Sequence, residues 1–144
     1  MIEQDTIRLL RECDSGAKMG ISALSDVMGF VKNDKLKSSL TESMSSNHRI
    51  EKELQAKLRG FHDDGKEPHP VAKSMSWLKT NFRLMMNGTD STVADLITDG
   101  CNMGIKSLNR YLNEYTAADE DSKQIARDLI GTEELLAFEI REFL

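Results

Sequence analysis

Between Ile7 and Val31 the apolar residues recur in alternating steps of three and four. They are Ile7, Leu10, Ala17, Ile21, Leu24, Met28 and Val31, and Asp14 is the one polar member of the series. This spacing keeps the whole series on one face of an α-helix and suits near-parallel packing against other helices, whereas a half-buried strand would alternate in steps of two. The pattern then repeats along the chain. Leu36, Leu40, Ser43, Asn47, Ile50 and Leu54 form a second seam, flanked by Met44 and Leu58, over a helix expected from about 35 to 59. Val71, Met75, Leu78, Phe82 and Met85 form a third and shorter one. Ala94, Thr98, Cys101, Ile105, Leu108, Leu112 and Tyr115 form a fourth, and Ala126, Leu129, Glu133, Leu136, Ile140 and Phe143 a fifth. Breakers sit between the seams: Asn33-Asp34, the stretch from Gly60 to His69, Asn87-Gly88 and Ala117-Ala118-Asp119. Asp90 or Ser91 is the expected N-cap of the fourth helix.

The expected class is therefore all-α. With 144 residues and only two prolines, the chain fits one domain large enough for a core without disulfide or metal staples. Cys13 and Cys101 make no CxxC motif and no disulfide framework, which suits a reduced, cytoplasmic setting. The start, Met1-Ile2-Glu3-Gln4-Asp5, lacks the basic and apolar regions of a signal peptide, and no apolar run has the length of a membrane span. A net charge of −5 provides no basic footprint for nucleic acid.

The two halves of the chain resemble each other. Met19-Gly20-Ile21-Ser22-Ala23-Leu24 recurs 84 residues later as Met103-Gly104-Ile105-Lys106-Ser107-Leu108. The same offset places Gly16 on Gly100 and Ala17 on Cys101, and the seams stay in phase on both sides. With two more residues in the turn, Asn47 falls on Glu133, His48 on Glu134 and Leu54 on Ile140. Two duplicated hairpins, about 3–59 and 90–144, are thus joined by a long connection over 60–89. A helix of roughly 17 residues in that connection spans about 25 Å, enough to carry the chain along the bundle. This favours an up-down-down-up four-helix bundle with an amphipathic crossover helix.

In Gly16-Ala17-Lys18-Met19-Gly20, in the crossover from Pro68 to Trp77 with Trp77-Leu78-Lys79, in Asn87-Gly88-Thr89-Asp90 and in Asp99-Gly100-Cys101-Asn102, the chain resembles the ferritin-like superfamily. Within it the chain is most similar to an uncharacterised bacterial family annotated only as ferritin-like. The resemblance implies the bundle just described. It also implies a place for two iron or manganese ions, held in that superfamily by a Glu from each of two helices and a Glu-x-x-His pair from each of the others. This chain has no Glu-x-x-His. It offers His48-x-x-Glu51 in reversed order and Glu133-Glu134 without a following His.

The candidate ligands of an atypical site are therefore Asp14, His48, Glu51, Glu133 and Glu134. The competing reading is a buried hydrogen-bonded layer that sets helix register. Gly16, Gly20, Gly100 and Gly104 lie inside helices, where each costs up to about 1 kcal/mol relative to Ala; close helix approach accounts for them best. The leading functional expectation is a non-catalytic or weakly active bundle with no cofactor, iron or manganese being the ions an atypical site would take. Its role would be structural, stress-related or partner-binding, and its state a dimer. The alternatives are a metal-binding protein or oxidase and a thiol-dependent protein using Cys101.

Overall fold

The computed structural model describes residues 2–66 and 88–144, and the helix expected over Val71 to Met85 lies outside the described residues. Within them the chain forms four helices and no strand: α1 (Ile2–Met28), α2 (Asp34–Gly60), α3 (Asp90–Glu114) and α4 (Glu120–Ile140). A short 3-10 turn (Arg141–Phe143) follows α4.

The starts of α2, α3 and α4 each have a specific cap. Asn33 accepts from the N–H groups of Lys35 and Leu36 at the head of α2, and Asp119 accepts from Ser122 at the head of α4. At α3 the cap is Thr89, which accepts from Thr92, rather than the expected Asp90 or Ser91. The reason is that Asp90 is engaged elsewhere. Its two carboxylate oxygens accept from the backbone N–H groups of Lys32 at 2.8 Å and Asn33 at 3.0 Å, fastening the α1–α2 turn to the start of α3. Lys35 pairs with Glu142 at this same end. At the other end, Ala117 N–H donates to Asp5 and Asp119 N–H to Thr6 Oγ1, fastening the α3–α4 turn to the start of α1.

Helix α1 packs on α2, α3 and α4, and α2 packs on α4. Contact on three sides widens the buried face of α1 beyond one seam. Thr6, Leu9, Leu10, Cys13, Asp14, Ala17, Leu24 and Val27 are buried, so Cys13, which the spacing placed just outside the seam, lies inside it. On α2 every predicted seam residue from Leu36 to Leu54 is buried.

The apolar core divides into two clusters. One gathers Leu9, Leu10, Leu54, Leu58, Ala126 and Leu129 near the start of α1, the other Leu24, Val27, Leu36, Leu40, Val93 and Ile140 near its end. Each fully buried leucine contributes about 2 kcal/mol. Between the clusters the helices carry polar side chains and glycines. A Cβ on Gly20 would come within 3.2 Å of Asn47 Oδ1, and one on Gly104 within 3.6 Å of the Glu133 carboxyl carbon. Gly20 makes room for a polar seam residue of the adjoining helix, whereas at Gly104 a Cβ would meet Glu133 in ordinary contact. No helix among the described residues is long and apolar enough to cross a membrane.

Candidate functional site

The most concentrated chemistry surrounds Asp14, a carboxylate with no exposed surface. Helical spacing sets up its first partner: Lys18, one turn along α1, places its ammonium 3.0 Å from Asp14 Oδ2. Helix α2 supplies the next two, again one turn apart. The amide of Gln55 donates to Asp14 Oδ1 at 2.7 Å and to Glu51 Oε1 at 3.1 Å.

The fourth partner arrives from beyond α2. After Gly60 the chain turns through His62, at φ 56°, and residues 61–66 fold back across α1 as a strap. Asp63 holds the turn by accepting from Gly65 N–H at 2.8 Å, and Arg11 grips both oxygens of Asp63 at 2.9 and 3.0 Å. Lys66 pairs with Glu12 at 2.6 Å, and its backbone N–H donates to Asp14 Oδ2 at 3.0 Å. Gly65 has φ 89°, and a Cβ there would collide with Asp14 Oδ2. Only glycine lets the strap lie this close.

Glu51 completes the arrangement. Its Oε2 is shut off from water and meets no N–H or O–H donor among the described residues. A proton on Glu51, donated to Asp14, satisfies both carboxyl groups at once. Burial, then the hydrogen bond to Asp14 and the charge on it, push Glu51 up to about 8. Burial pushes Asp14 upward too. The hydrogen bonds from Glu51, Lys18, the Lys66 N–H and Gln55 outweigh that and hold it below the ordinary carboxylate value. At neutral pH the pair thus holds one proton and one negative charge, and Lys18 balances the charge.

Folded, Glu51 keeps its proton up to about pH 8; unfolded, it loses it near 4.5. Between those values the folded state binds more protons, so this group's contribution is full below 4.5 and is lost as pH rises through 8. Asp14 acts in the opposite sense and only in acid, below its ordinary 3.8. In Glu51→Gln the new amide donates to Asp14 as the protonated carboxyl does. The variant is expected to gain about 1–2 kcal/mol at pH 8.5, after discounting for partial exposure, and to match the parent at pH 4.5. Denaturant unfolding at the two pH values checks this, and a variant no more stable at pH 8.5 would rule out the shared proton.

The remaining candidates lie elsewhere. Glu133 is half-buried across from Gly104 and hydrogen-bonds Cys101; burial pushes it up to about 7, and the thiol draws it partly back. His48 and Glu134 are exposed. The structure therefore brings Asp14 and Glu51 together, places Glu133 with Cys101, and leaves His48 and Glu134 on the surface. Among the described residues no group of three His, Cys, Asp or Glu side chains is placed to hold a metal ion. Burial pushes the Cys13 thiol up to about 12, and burial followed by Glu133 pushes Cys101 up as well. Both stay protonated at neutral pH, the opposite of a reactive thiolate.

Spacing alone did not single out Gln55, Lys18 or Lys66. Gln55 and Lys18 each stand one turn from a candidate acid, and that signal was present. The Lys66 contact is made by a backbone N–H and has no side-chain signature.

Comparison with known proteins finds no matching family model, no matching curated protein and no matching solved structure. The residues themselves define the class: an all-α bundle with a caged carboxyl pair between α1 and α2.

Proposed function

We propose that this chain is a non-catalytic, ferritin-like scaffold in which groups of the chain itself fill the place where that superfamily holds metal. The observation that carries the reading is the occupancy of Asp14. One oxygen accepts from Gln55; the other accepts from the Lys66 N–H and the Lys18 ammonium. A metal-binding carboxylate needs free lone pairs facing an open position. Here a lysine supplies the positive charge and Glu51 a proton, so the residues do not fit a di-iron centre.

The end contacts support an up-down-down-up order. The α1–α2 turn meets the start of α3, and the α3–α4 turn meets the start of α1. With α1 taken as up, α2 and α3 run down and α4 up, so α2 ends at the opposite end of the bundle from the start of α3. The paired glycines support the duplication. Gly20 opposes Asn47 as Gly104 opposes Glu133, at the offsets that align the halves. A structural or partner-binding role is the reading supported by a buried Asp14 whose charge is met from within the chain.

Thermal unfolding tests this. Millimolar Mn(II), or Fe(II) without oxygen, is expected to leave Tm within about 1 °C of the metal-free protein. A ligand held by the folded state alone would raise it by mass action. A rise of several degrees, lost in Asp14→Asn, would overturn the proposal.

A further inference from the structure

The outer face of α4 carries a second stripe with the spacing of the first. Asp128, Gly131, Leu135, Phe138 and Glu142 follow in steps of three and four, and all are exposed. Leu135 is 58% and Phe138 60% exposed, two large apolar side chains one turn apart on one face. Such a pair repeated on a coiled-coil seam is a place for another helix. Gly131 has open space over its Cα, so a second backbone can come close there.

The flanking charges indicate what that helix is. Glu134 and Arg141 lie seven residues apart beside the stripe, both exposed, and neither has an ion-pair partner among the described residues. Arg141 instead rests over the Phe138 ring at 4.3 Å. Arg141 opens the 3-10 turn that follows α4, and its guanidinium stays beside the stripe, over Phe138. Consider two copies of α4 running antiparallel about a two-fold axis that passes between Leu135 and Phe138. Leu135 of each copy then packs on Phe138 of the other, and Gly131 faces Glu142. In that register Glu134 of each copy falls beside Arg141 of the other, twice, as two-fold symmetry requires. On the other flank Thr132 faces Glu139, so no like charges meet. One sequence thus satisfies its own apolar pair and the two charges that flank it.

We propose that this face of α4 is a self-association surface, and that its partner is a second copy of this chain, antiparallel, with Leu135 on Phe138 and Glu134 beside Arg141. The proposal does not depend on the reading of the Asp14 site. The surface is short, so the dimer is weak and exchanges readily.

Sedimentation equilibrium over a concentration series tests it, with circular dichroism to confirm the fold of each variant. The parent is expected to dimerise below about 1 mM, the weak end of specific association. Glu134→Arg and Arg141→Glu, taken singly, each place like charges together twice and are expected to raise Kd by about tenfold. The double variant, which exchanges the two charges, is expected to return Kd to near the parent value. An equimolar mixture of the two single variants is expected to form heterodimers. A parent that is monomeric throughout, or a dimer that none of these changes weakens, would overturn the proposal. So would two weakened single variants that combine to a still weaker double.

Discussion

Asp14→Ala is expected to lower stability by about 3 kcal/mol, because removing one member of a buried charged group strands the others. The Gln55 amide and the Lys66 N–H lose their acceptor, and the Lys18 ammonium loses its ion pair with Asp14. One response limits the loss. Much of what keeps Glu51 protonated, after burial, is its hydrogen bond to Asp14 and the charge there. Without Asp14, Glu51 ionises more readily and can take over Lys18. The pair Asp14→Ala and Glu51→Gln should therefore be worse than Asp14→Ala alone, although Glu51→Gln by itself stabilises at high pH. For a chain of this size 3 kcal/mol corresponds to about 10 °C in Tm. Thermal unfolding of the four proteins, parent included, measures the coupling as a double-mutant cycle. A single-variant loss under about 1 kcal/mol would mean that Asp14 is not caged as described.

Gly65→Ala should act through the same cage but fail differently. Alanine at φ 89° is strained, and its Cβ would run into Asp14 Oδ2, a group that four donors hold in place. The collision cannot be relieved by swinging a loose side chain aside. The strap at 61–66 is the part that can give, since Arg11–Asp63, Lys66–Glu12 and the Lys66 N–H bond are what hold it to α1. The expected penalty is about 2–3 kcal/mol, capped by the free energy of docking the strap itself. The four helices should keep their circular dichroism while amide exchange and proteolysis rise at 61–66. Unchanged exchange at the strap would show that its path over Asp14 is wrong.

Most of the helical architecture could be read from spacing. The α2 seam was legible residue for residue because that helix buries a single narrow face, from Leu36 through Ser43 and Asn47 to Leu54. Helix α1 was legible in existence but not in width, since packing on three neighbours buries Cys13 and Thr6 beside the seam. The α3 cap moved to Thr89 because Asp90 serves a turn 57 residues away in sequence. No local rule sees such a partner. The candidate site was half legible. Asp14 and Glu51 stood out as acids on or near a seam, and they do meet. His48 directly follows the buried Asn47, and one residue of helical rotation turns it to the surface. The strap could not be foreseen at all: its decisive contacts are a backbone N–H and a glycine at positive φ.

The charge on Asp14 is met from within the chain. Elemental analysis of untagged protein expressed in medium supplemented with iron and manganese tests this most directly. The expected result is less than about one metal ion per ten chains, with the helical fold intact, because Lys18 and the Glu51 proton already neutralise the site. One or two ions per chain, lost in Asp14→Asn, would contradict it and show that the cage opens to admit a cation.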